Sequence, residues 1–414
     1  VTGCVATAVA ILMRYYQWPD VGTGTLPAYN YTAHINGREI SQTVPERTLG
    51  NTYAWNNMPL EYDCSSSEVT ENEVATLMYD CAQAEFNIAS AGGTGAATLT
   101  AVRGLAEYMK YDKSMLCLRR EWYSDTEWIQ MLENEIMTVG PVLYGGATLS
   151  NEGHQFILDA YTTENYFRVN WGWSGHSNGF FLISALNPND QGAGGSTGGG
   201  FIANQDALFG LKPTKGNSNY QTLLGMLAGK TGSGESYSGL ITSETQFNVN
   251  TNFTVKCGFF WNLGLIPFSG KVALAIVDKN QNIRELISST SSISSMKTYG
   301  GIAFTFPCKI SLSPQPGDRI VAVYKGTNDT DWKIVRGGPD TTNEIIVKTD
   351  PTPIIETEQE TQFTVYCDKQ QGTVIAHLPE NSHTLNIYDV NGRLLRQILS
   401  EGKETITFSC REYP

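Results

Sequence analysis

Apolar residues recur at helical spacing directly after Gly3. The apolar positions of this stretch are Val5, Ala8, Leu12 and Tyr15, and no proline interrupts it before Pro19. Residues three or four apart lie on one face of a helix. The pattern therefore predicts an amphipathic helix that begins near Cys4 and places this cysteine in its first turn.

A second pattern predicts a β-hairpin further along the chain. His154 precedes an apolar run at residues 156–158, a polar turn follows at 162–165, and a second apolar stretch ends at Asn170. Two apolar runs joined by a short polar turn are typical of antiparallel strands. We expect His154 at the start of one strand, and Asn170 with Trp171 at the end of the next.

Beyond Pro213, apolar and polar residues alternate between short turns. The alternation is clearest in residues 270–287 and 317–335, where Asn, Asp and Gly mark the turns. This alternating pattern is typical of antiparallel strands in a β-sandwich. It predicts an all-β, immunoglobulin-like sandwich domain over residues 222–349.

The tail forms a third predicted domain, over residues 361–414. A linker with prolines and threonines precedes it, and a Pro- and Thr-bearing composition marks a domain boundary. Inside the tail, two strand-like halves flank Asn391 and Gly392. Asn-Gly favours a tight hairpin turn, so we expect a β-hairpin here.

Cys4 and His154 are the candidate reactive pair. The start of a helix stabilises a thiolate and lowers the pKa of a thiol. Gly3 allows a substrate to approach closely, the Cys4 N–H can donate to a developing oxyanion, and a distant imidazole can serve as the base. The alternative is that Cys4 is a small buried apolar residue, as most single cysteines are.

Asn170 and Trp171 complete the predicted arrangement. An Asn side chain can accept a hydrogen bond from the imidazole and fix its orientation, and an adjacent indole can shield that bond from water. The hairpin therefore predicts a Cys-His-Asn site.

Several stretches resemble the streptopain family of cysteine peptidases, which are papain-like in fold. They occur in the order of the family and include GCVATAVAILMRYYQWPDVGTG, GPVLYGG, GHQFILDAY, VNWGWSG and ALFGLKP. The resemblance covers residues 1–213 and implies an α+β papain-like peptidase domain. It implies Cys4 as nucleophile and His154 as general base and acid, with Asn170 and Trp171 in the orienting and shielding positions.

Small residues near these motifs are expected to bind the substrate, because they leave main chain free to pair with an extended peptide. These residues are Gly92, Gly93, Thr94 and Gly153. The alternative is that the glycines only make turns. Trp173 is expected to supply an apolar wall, and the glycine-rich segment 192–200 a flap over the cleft. The resemblance also implies a preference for a bulky hydrophobic residue at P2.

The resemblance implies further parts upstream. Papain-like enzymes carry a Gln a few residues before the nucleophile, and its amide completes the oxyanion hole. The sequence begins three residues before Cys4. We expect this donor, and an inhibitory pro-segment, upstream of Val1.

Composition limits the partners. The 414 residues carry a formal net charge of -13. No basic stripe is present to neutralise phosphates, and no apolar run reaches the length of a membrane span. We expect protein or peptide substrates, no nucleic acid, no membrane span, and no metal or organic cofactor. Two cysteine pairs, Cys257 with Cys308 and Cys367 with Cys410, would suit an exported protein, with buried free thiols as the alternative.

The tail phrase TLNIYDVNGRLLRQI resembles the C-terminal sorting domain of proteins exported by the type IX secretion system of Bacteroidetes. The alternative is an ordinary small β-sandwich. Together these features predict a secreted or surface-attached cysteine endopeptidase. Transglutaminase-like acyl transfer and a non-catalytic adhesin or binding module are the competing hypotheses. Because every catalytic candidate precedes Pro213, the first half alone is expected to carry the activity.

Overall fold

The computed structural model describes most of the chain as two compact units. The described residues are 3–35, 38–84, 88–89, 94–188, 199–230, 232–339, 341–347, 364–368, 373–378, 384–388, 394–400 and 402–409. One unit comprises Val1–Lys348 and the other Thr349–Pro414. The predicted domains 1–213 and 222–349 thus fall almost entirely in the first unit.

Helices occur early in the described chain. They are α1 (Cys4–Tyr16), α2 (Glu68–Ala84), α3 (Thr98–Tyr108) and α4 (Asp125–Thr138). Helix α1 confirms the prediction from apolar spacing, since it begins at Cys4 with Gly3 as its N-cap. Its C-cap is Gln17, which has a left-handed backbone (φ 47°) and whose N–H donates to Arg14 O.

A six-stranded antiparallel sheet organises the first half. The strands there are β1 (Thr25–Leu26), β2 (Tyr29–Ile35), β3 (Arg38–Val44), β4 (Arg47–Thr48), β5 (Ile88–Ala89), β6 (Thr94–Gly95), β7 (Leu116–Arg119), β8 (Val142–Ala147), β9 (Gly153–Tyr161), β10 (Phe167–Asn170), β11 (Gly179–Phe181) and β12 (Ala203–Phe209). The sheet order is β11-β10-β9-β8-β12-β7, and the pairs β1–β4, β2–β3 and β5–β6 stand apart. The predicted hairpin is β9–β10.

Each face of this sheet has its own apolar core. Leu143, Ile157 and Leu208 pack with buried residues of α1, α2 and α3. Phe156 and Tyr144 share the other core with Trp128 of α4. The helix that begins with Cys4 therefore lies on one face of the sheet, and α4 on the opposite face.

The next part of the first unit is built of strands and is here called the two-sheet region (residues 224–346). Its strands are β13 (Leu224–Leu227), β14 (Gly229–Lys230), β15 (Ser236–Tyr237), β16 (Asn252–Asn262), β17 (Phe268–Val277), β18 (Ile283–Leu286), β19 (Ser291–Met296), β20 (Gly301–Lys309), β21 (Arg319–Gly326), β22 (Lys333–Ile334), β23 (Arg336–Gly337) and β24 (Glu344–Ile346). One large sheet has the order β20-β16-β13-β23 and the other β18-β17-β21-β22, with β19 on β17 and β24 on β21. Strands β14 and β15 pair apart from both. Val255 and Phe260 of the first sheet share a core with Leu274 and Ile276 of the second.

The second unit contains short strands. They are β25 (Thr364–Asp368), β26 (Thr373–His377), β27 (Thr384–Tyr388), β28 (Leu394–Leu399) and β29 (Thr405–Ser409). Strands β25, β26 and β29 form one sheet, and β27 pairs with β28 in the antiparallel register expected of the predicted hairpin. Its Asn391-Gly392 turn lies outside the described residues.

Six cysteines of the described chain are not in disulfides: Cys4, Cys64, Cys81, Cys117, Cys257 and Cys308. Cys257 and Cys308 are therefore buried without a disulfide between them. Cys410 lies outside the described residues, so its pairing with Cys367 stays a prediction.

Among the helices that the structure describes, none has both the length and the apolar character needed to cross a lipid bilayer.

Candidate active site

Cys4 is the first residue of α1 and is half-buried. The N–H groups in the first turn of a helix have no acceptor within the helix, and the helix dipole is positive at this end. Gly3 O begins the helical ladder by accepting from Thr7 N at 3.1 Å and from Thr7 Oγ1 at 3.0 Å. The thiol thus lies where negative charge is favoured.

His154 lies near the start of β9 and is only 4% exposed. Four aromatic rings surround its imidazole, with centroid distances of 4.7 Å to Trp173, 5.2 Å to Phe201, 6.0 Å to Phe156 and 6.2 Å to Trp171. Burial lowers the pKa of His154 from 6.5 to about 4, because the imidazolium loses its hydration. The ring is therefore neutral at pH 7.

A main-chain hydrogen bond fixes the tautomer of this ring. His154 Nε2 lies 2.9 Å from Trp171 O. A carbonyl oxygen can only accept, so Nε2 carries the proton and Nδ1 keeps its lone pair. Nδ1 is buried and has no hydrogen-bond partner among the described residues. It is the ring atom that can accept a proton from a thiol.

The loop that holds the imidazole also touches the helix of Cys4. Gly172 has a φ of 74°, and a β-carbon there would lie 3.3 Å from Thr7 Cγ2. Thr7 lies one helical turn after Cys4, and α1 packs against β9. The structure therefore brings the first turn of α1 and the loop around His154 together.

The orienting bond expected from the Asn170 side chain comes instead from the main chain of Trp171. Asn170 Oδ1 accepts from Gly172 N at 3.0 Å, so the side chain turns back onto its own loop. Asn178 supports the same loop, because its Oδ1 accepts from Trp171 N at 3.0 Å. Asn170 thus shapes the loop that presents the Trp171 carbonyl to His154.

The two tryptophans enclose the imidazole. Trp171 is completely buried, its ring is tilted 25° from that of His154, and its Nε1 donates to Ser177 O at 3.0 Å. The indole therefore lies beside the hydrogen bond that it was predicted to shield. Trp173 stacks on His154 and is 7% exposed. Its ring also lies 5.4 Å from that of Trp171, so the indole is enclosed by other rings of the site and little of it is exposed as the predicted apolar wall.

The predicted substrate-binding glycines are only partly described. Gly92 and Gly93, and all of segment 192–200 except its last two residues, lie outside the described residues. Thr94 begins β6, where it pairs with Ala89 of β5. Gly153 is exposed at the start of β9, and a β-carbon there would meet nothing nearer than Gly146 O at 3.9 Å. There is open space beside His154 at this glycine.

Two contributors to the site escaped the sequence prediction. A main-chain acceptor such as Trp171 O has no residue signature, so no motif could have revealed it. Phe201 reaches the imidazole because β12 pairs with β8 in the sheet, and this non-local pairing is not written in any local pattern. The strand predicted from the apolar run at residues 156–158 was the available signal, because alternate side chains of a strand share a face and His154 therefore lies on the same face as Phe156.

A thiol at a helix N-terminus and a buried imidazole of fixed tautomer are groups of the kind that thiol-dependent enzymes use. Residues 1–181 match the model of the Peptidase C10 family. Over this part the chain belongs to that family.

Individual relatives agree with this assignment. The chain is 34% identical over 212 residues to the thiol protease/hemagglutinin PrtT of Porphyromonas gingivalis, a match that covers 51% of this chain and 24% of that protein. It is 34% identical over 217 residues to streptopain of Streptococcus pyogenes, covering 51% of this chain and 52% of streptopain. It thus spans about half or less of the length of these curated relatives.

A solved structure is also similar. Active wild-type interpain A cysteine protease of Prevotella intermedia shares 32% sequence identity, with a TM-score of 0.42, over 50% of this chain and 82% of that one.

Proposed function

We propose that the protein is a cysteine endopeptidase in which Cys4 is the nucleophile and His154 the general base and acid. The observation that carries the proposal is the fixed tautomer of His154. Its hydrogen bond to Trp171 O leaves Nδ1 as a proton acceptor, in a loop that touches the first turn of α1. The C10 match over residues 1–181 supports the reaction class.

In the first step, Nδ1 of His154 takes the proton of the Cys4 thiol, and the sulfur attacks the peptide carbonyl. N–H groups at the start of α1 donate to the developing oxyanion. Because burial holds the His154 pKa near 4, the imidazolium persists only while negative charge lies beside it. The Trp171 carbonyl stabilises this cation by accepting from Nε2–H.

The second half of the reaction reverses these roles. His154 gives its proton to the leaving amine, and an acyl-thioester remains on Cys4. Water then enters, loses a proton to Nδ1 and attacks the thioester, which releases the new carboxyl terminus and restores the thiol. No step requires a side chain of Asn170.

We extend the proposal to the architecture. Residues 1–213 correspond to a papain-like peptidase domain, residues 222–349 to an immunoglobulin-like sandwich and residues 361–414 to a type IX sorting-like domain. The central six-stranded sheet with α1 on one face, the shared core of the two-sheet region and the β27–β28 hairpin support the three assignments in turn. A preference for a hydrophobic residue at P2, an inhibitory pro-segment and export from the cell belong to the same proposal.

Incubation with casein tests the activity. The protein should cut casein in the presence of a reducing agent, and a thiol-directed epoxide should stop the reaction by modifying Cys4. Cys4→Ala should remove turnover. Mapping of the cut sites then tests the P2 preference.

Cys64→Ala is the matched control, because Cys64 likewise carries a thiol outside any disulfide but is exposed and distant in sequence from the motifs. This variant should keep full activity and full inhibition. Casein cleavage that survives Cys4→Ala, or release of ammonia with crosslinked product instead of new peptide termini, would contradict the proposal.

A further inference from the structure

A polar cluster of buried and half-buried side chains lies directly behind His154, on the face of the sheet opposite its imidazole. Gln155 of β9, Gly145 of β8 and Asp206 of β12 are aligned side by side across three neighbouring strands. A β-carbon on Gly145 would lie 2.6 Å from Asp206 Oδ1 and 3.0 Å from Gln155 Oε1. The glycine thus leaves room for the two polar side chains to meet above the middle strand.

A third group reaches this cluster from the helices. Thr98, the first residue of α3, places its Oγ1 2.9 Å from Gln155 Oε1 and 3.1 Å from Asp206 Oδ1. Helix α3 shares the core that contains α1, so Thr98 ties the helix layer of Cys4 to the strand of His154. Thr98 and Gln155 are both buried, with exposed fractions of 8% and 5%.

The supply of donors in the cluster depends on the protonation of Asp206. The single hydroxyl proton of Thr98 can serve either Gln155 Oε1 or Asp206 Oδ1, but not both. If Asp206 carries a proton, its O–H donates to Thr98 Oγ1, and Thr98 donates to Gln155, so that every oxygen is satisfied. If Asp206 is ionised, Thr98 donates to its carboxylate, and Gln155 Oε1 loses its donor as long as the Gln155 amide keeps the orientation it has here, with Nε2 unpartnered among the described residues. A buried acceptor without a donor is costly.

We propose that Thr98, Gln155 and Asp206 form a protonation-dependent clamp that positions His154 relative to Cys4. The neutral form of Asp206 completes the hydrogen-bond chain and holds β9 against the helix layer. The ionised form breaks this series of hydrogen bonds and loosens the contact between β9 and the helix layer. The three are positioning residues, and the inference rests on the proposed Cys4–His154 reaction.

The surroundings of Asp206 place its titration in a useful range. Burial raises its pKa from 3.8 to about 6. The titratable groups whose charge bears on it are Cys117 and Arg119 of β7, Tyr144 of β8 and Tyr299 in the loop after β19. Burial raises the pKa of Cys117, Tyr144 and Tyr299, so these are neutral near pH 6. The hydrogen bond from Thr98 and, after it, the charge of Arg119 lower the Asp206 pKa and so oppose the effect of burial. On α3, Arg103 donates to Leu265 O instead.

The test compares Asp206→Asn with wild type at pH 5 and pH 7.5, using the full chain. An Asn amide can donate to Thr98 at any pH and so mimics the neutral acid. The first readout is the rate at which iodoacetamide alkylates Cys4. It is followed on the Cys4 peptide by mass spectrometry, because the exposed Cys64 will react as well. The second is kcat for a peptide substrate. The variant-to-wild-type ratio should be close to one at pH 5 and rise at least threefold at pH 7.5.

Variants of Thr98 supply a second, independent test of the clamp. Thr98→Val removes the shared donor and should lower kcat at least tenfold with KM within twofold, whereas Thr98→Ser should restore kcat to within threefold of wild type. Thr100→Val is the matched control on α3, since Thr100 Oγ1 bonds only the main chain at Ala97 O in this structure. It should behave as wild type.

A pH-independent Asp206→Asn ratio, or an equal loss in Thr98→Val and Thr100→Val, overturns the clamp. Should Asp206→Asn not fold, the Thr98 series decides alone. The alkylation assay needs no peptide cleavage, so it also separates the two proposals. A protein that cuts no peptide but keeps the pH-dependent alkylation ratio would refute the peptidase and support the clamp.

Discussion

At the scale of single residues, the decisive atom of the site belongs to the main chain. Trp171 O accepts from His154 Nε2, and this bond decides which ring nitrogen can act as a base. The sequence indicated the histidine and the loop after it, because both occur in recognisable motifs. It pointed to the Asn170 side chain for the orienting role, since side chains can be read from a sequence and carbonyl directions cannot.

The proposed role of His154 as the base and that of Asn170 in shaping the loop can be separated by mutation. His154→Ala removes the base and should lower kcat by about 10²–10⁴-fold. Asn170→Ala removes only the bond to Gly172 N, so we expect a loss of less than about tenfold from a less ordered loop. Steady-state kinetics on one fluorogenic peptide measure both.

His176→Ala serves as the control, because His176 is exposed in the neighbouring loop. It should leave kcat unchanged. An Asn170→Ala loss as large as that of His154→Ala would show that the amide does orient the imidazole.

His154 in the site and Asp206 behind it make the free energy of unfolding depend on pH in opposite directions. The folded-state pKa of His154 lies below its usual 6.5, so its contribution is complete above pH 6.5 and is lost as the pH falls towards 4. The pKa of Asp206 is raised from 3.8 to about 6, so its contribution is complete below pH 3.8 and is lost as the pH rises through 6. Between pH 4 and 6 the two effects oppose each other.

Asp206→Asn should therefore make the protein more sensitive to acid. With the opposing titration removed, the free energy of unfolding should fall by about 3 kcal/mol between pH 6.5 and pH 4, from the His154 shift at about 1.4 kcal/mol per pKa unit. Wild type should show a flatter profile over this range. Urea unfolding at four pH values measures the difference, and parallel profiles for the two proteins would contradict the opposing roles.

At the scale of elements, local sequence patterns predicted single helices and hairpins, but the sequence did not show which distant strands pair. The apolar spacing after Gly3 predicted α1, and the two apolar runs around residues 162–165 predicted β9–β10. The order β11-β10-β9-β8-β12-β7 follows from contacts between distant strands. This order aligns Gln155 with Asp206, so the clamp could not be predicted from either strand alone.

Strand β8 must lack a side chain where it passes between Gln155 and Asp206. A β-carbon at Gly145 would lie 2.6 Å from Asp206 Oδ1, well inside van der Waals contact. We expect Gly145→Ala to lower the free energy of unfolding by about 1–3 kcal/mol, the usual cost of an overpacked interior. Denaturant unfolding measures it.

Gly153→Ala is the matched control at the next strand, because a β-carbon there would meet only Gly146 O at 3.9 Å. Its stability should stay within about 0.5 kcal/mol of wild type, as expected for an open site. Equal losses in the two variants would mean that crowding at Gly145 is relieved by movement of Asp206 and Gln155.

At the scale of the first unit, the two-sheet region is hydrogen-bonded directly to the half of the unit that contains Cys4 and His154. Arg336 makes two hydrogen bonds to the Glu127 carboxylate, at 3.0 and 2.6 Å, donates to Trp122 O at 2.7 Å and lies 3.6 Å from the Tyr123 ring centroid. On another side, Leu265 is 1% exposed within the core that contains α1. Contacts of this kind cannot be predicted from a single sequence. The sequence therefore favoured a first half that folds and acts without the two-sheet region.

Arg336→Ala should destabilise the unit by about 1–3 kcal/mol, since it removes charge-assisted hydrogen bonds and a cation–π contact together. Arg168→Ala is the matched control, because Arg168 makes a similar two-bond pair with Asp159 but is 55% exposed. Exposed pairs contribute about 0–1 kcal/mol. A smaller loss for Arg336→Ala than for Arg168→Ala would show that the junction adds nothing.

The same contacts change the expectation for a shortened chain. A chain ending at Pro213 would expose Trp122, which is 5% exposed here, and would lose the partner that buries Leu265 in the α1 core. Compared with a chain ending at Lys348, it should melt at least about 5 °C lower, given about 2–4 °C per kcal/mol for a domain of this size. Since α1 carries Cys4, its kcat should fall as well. Calorimetry and peptide kinetics measure this on the two chains, each supplied with the same upstream segment. Equal melting temperatures would show that the first half is stable by itself, as the sequence alone predicts.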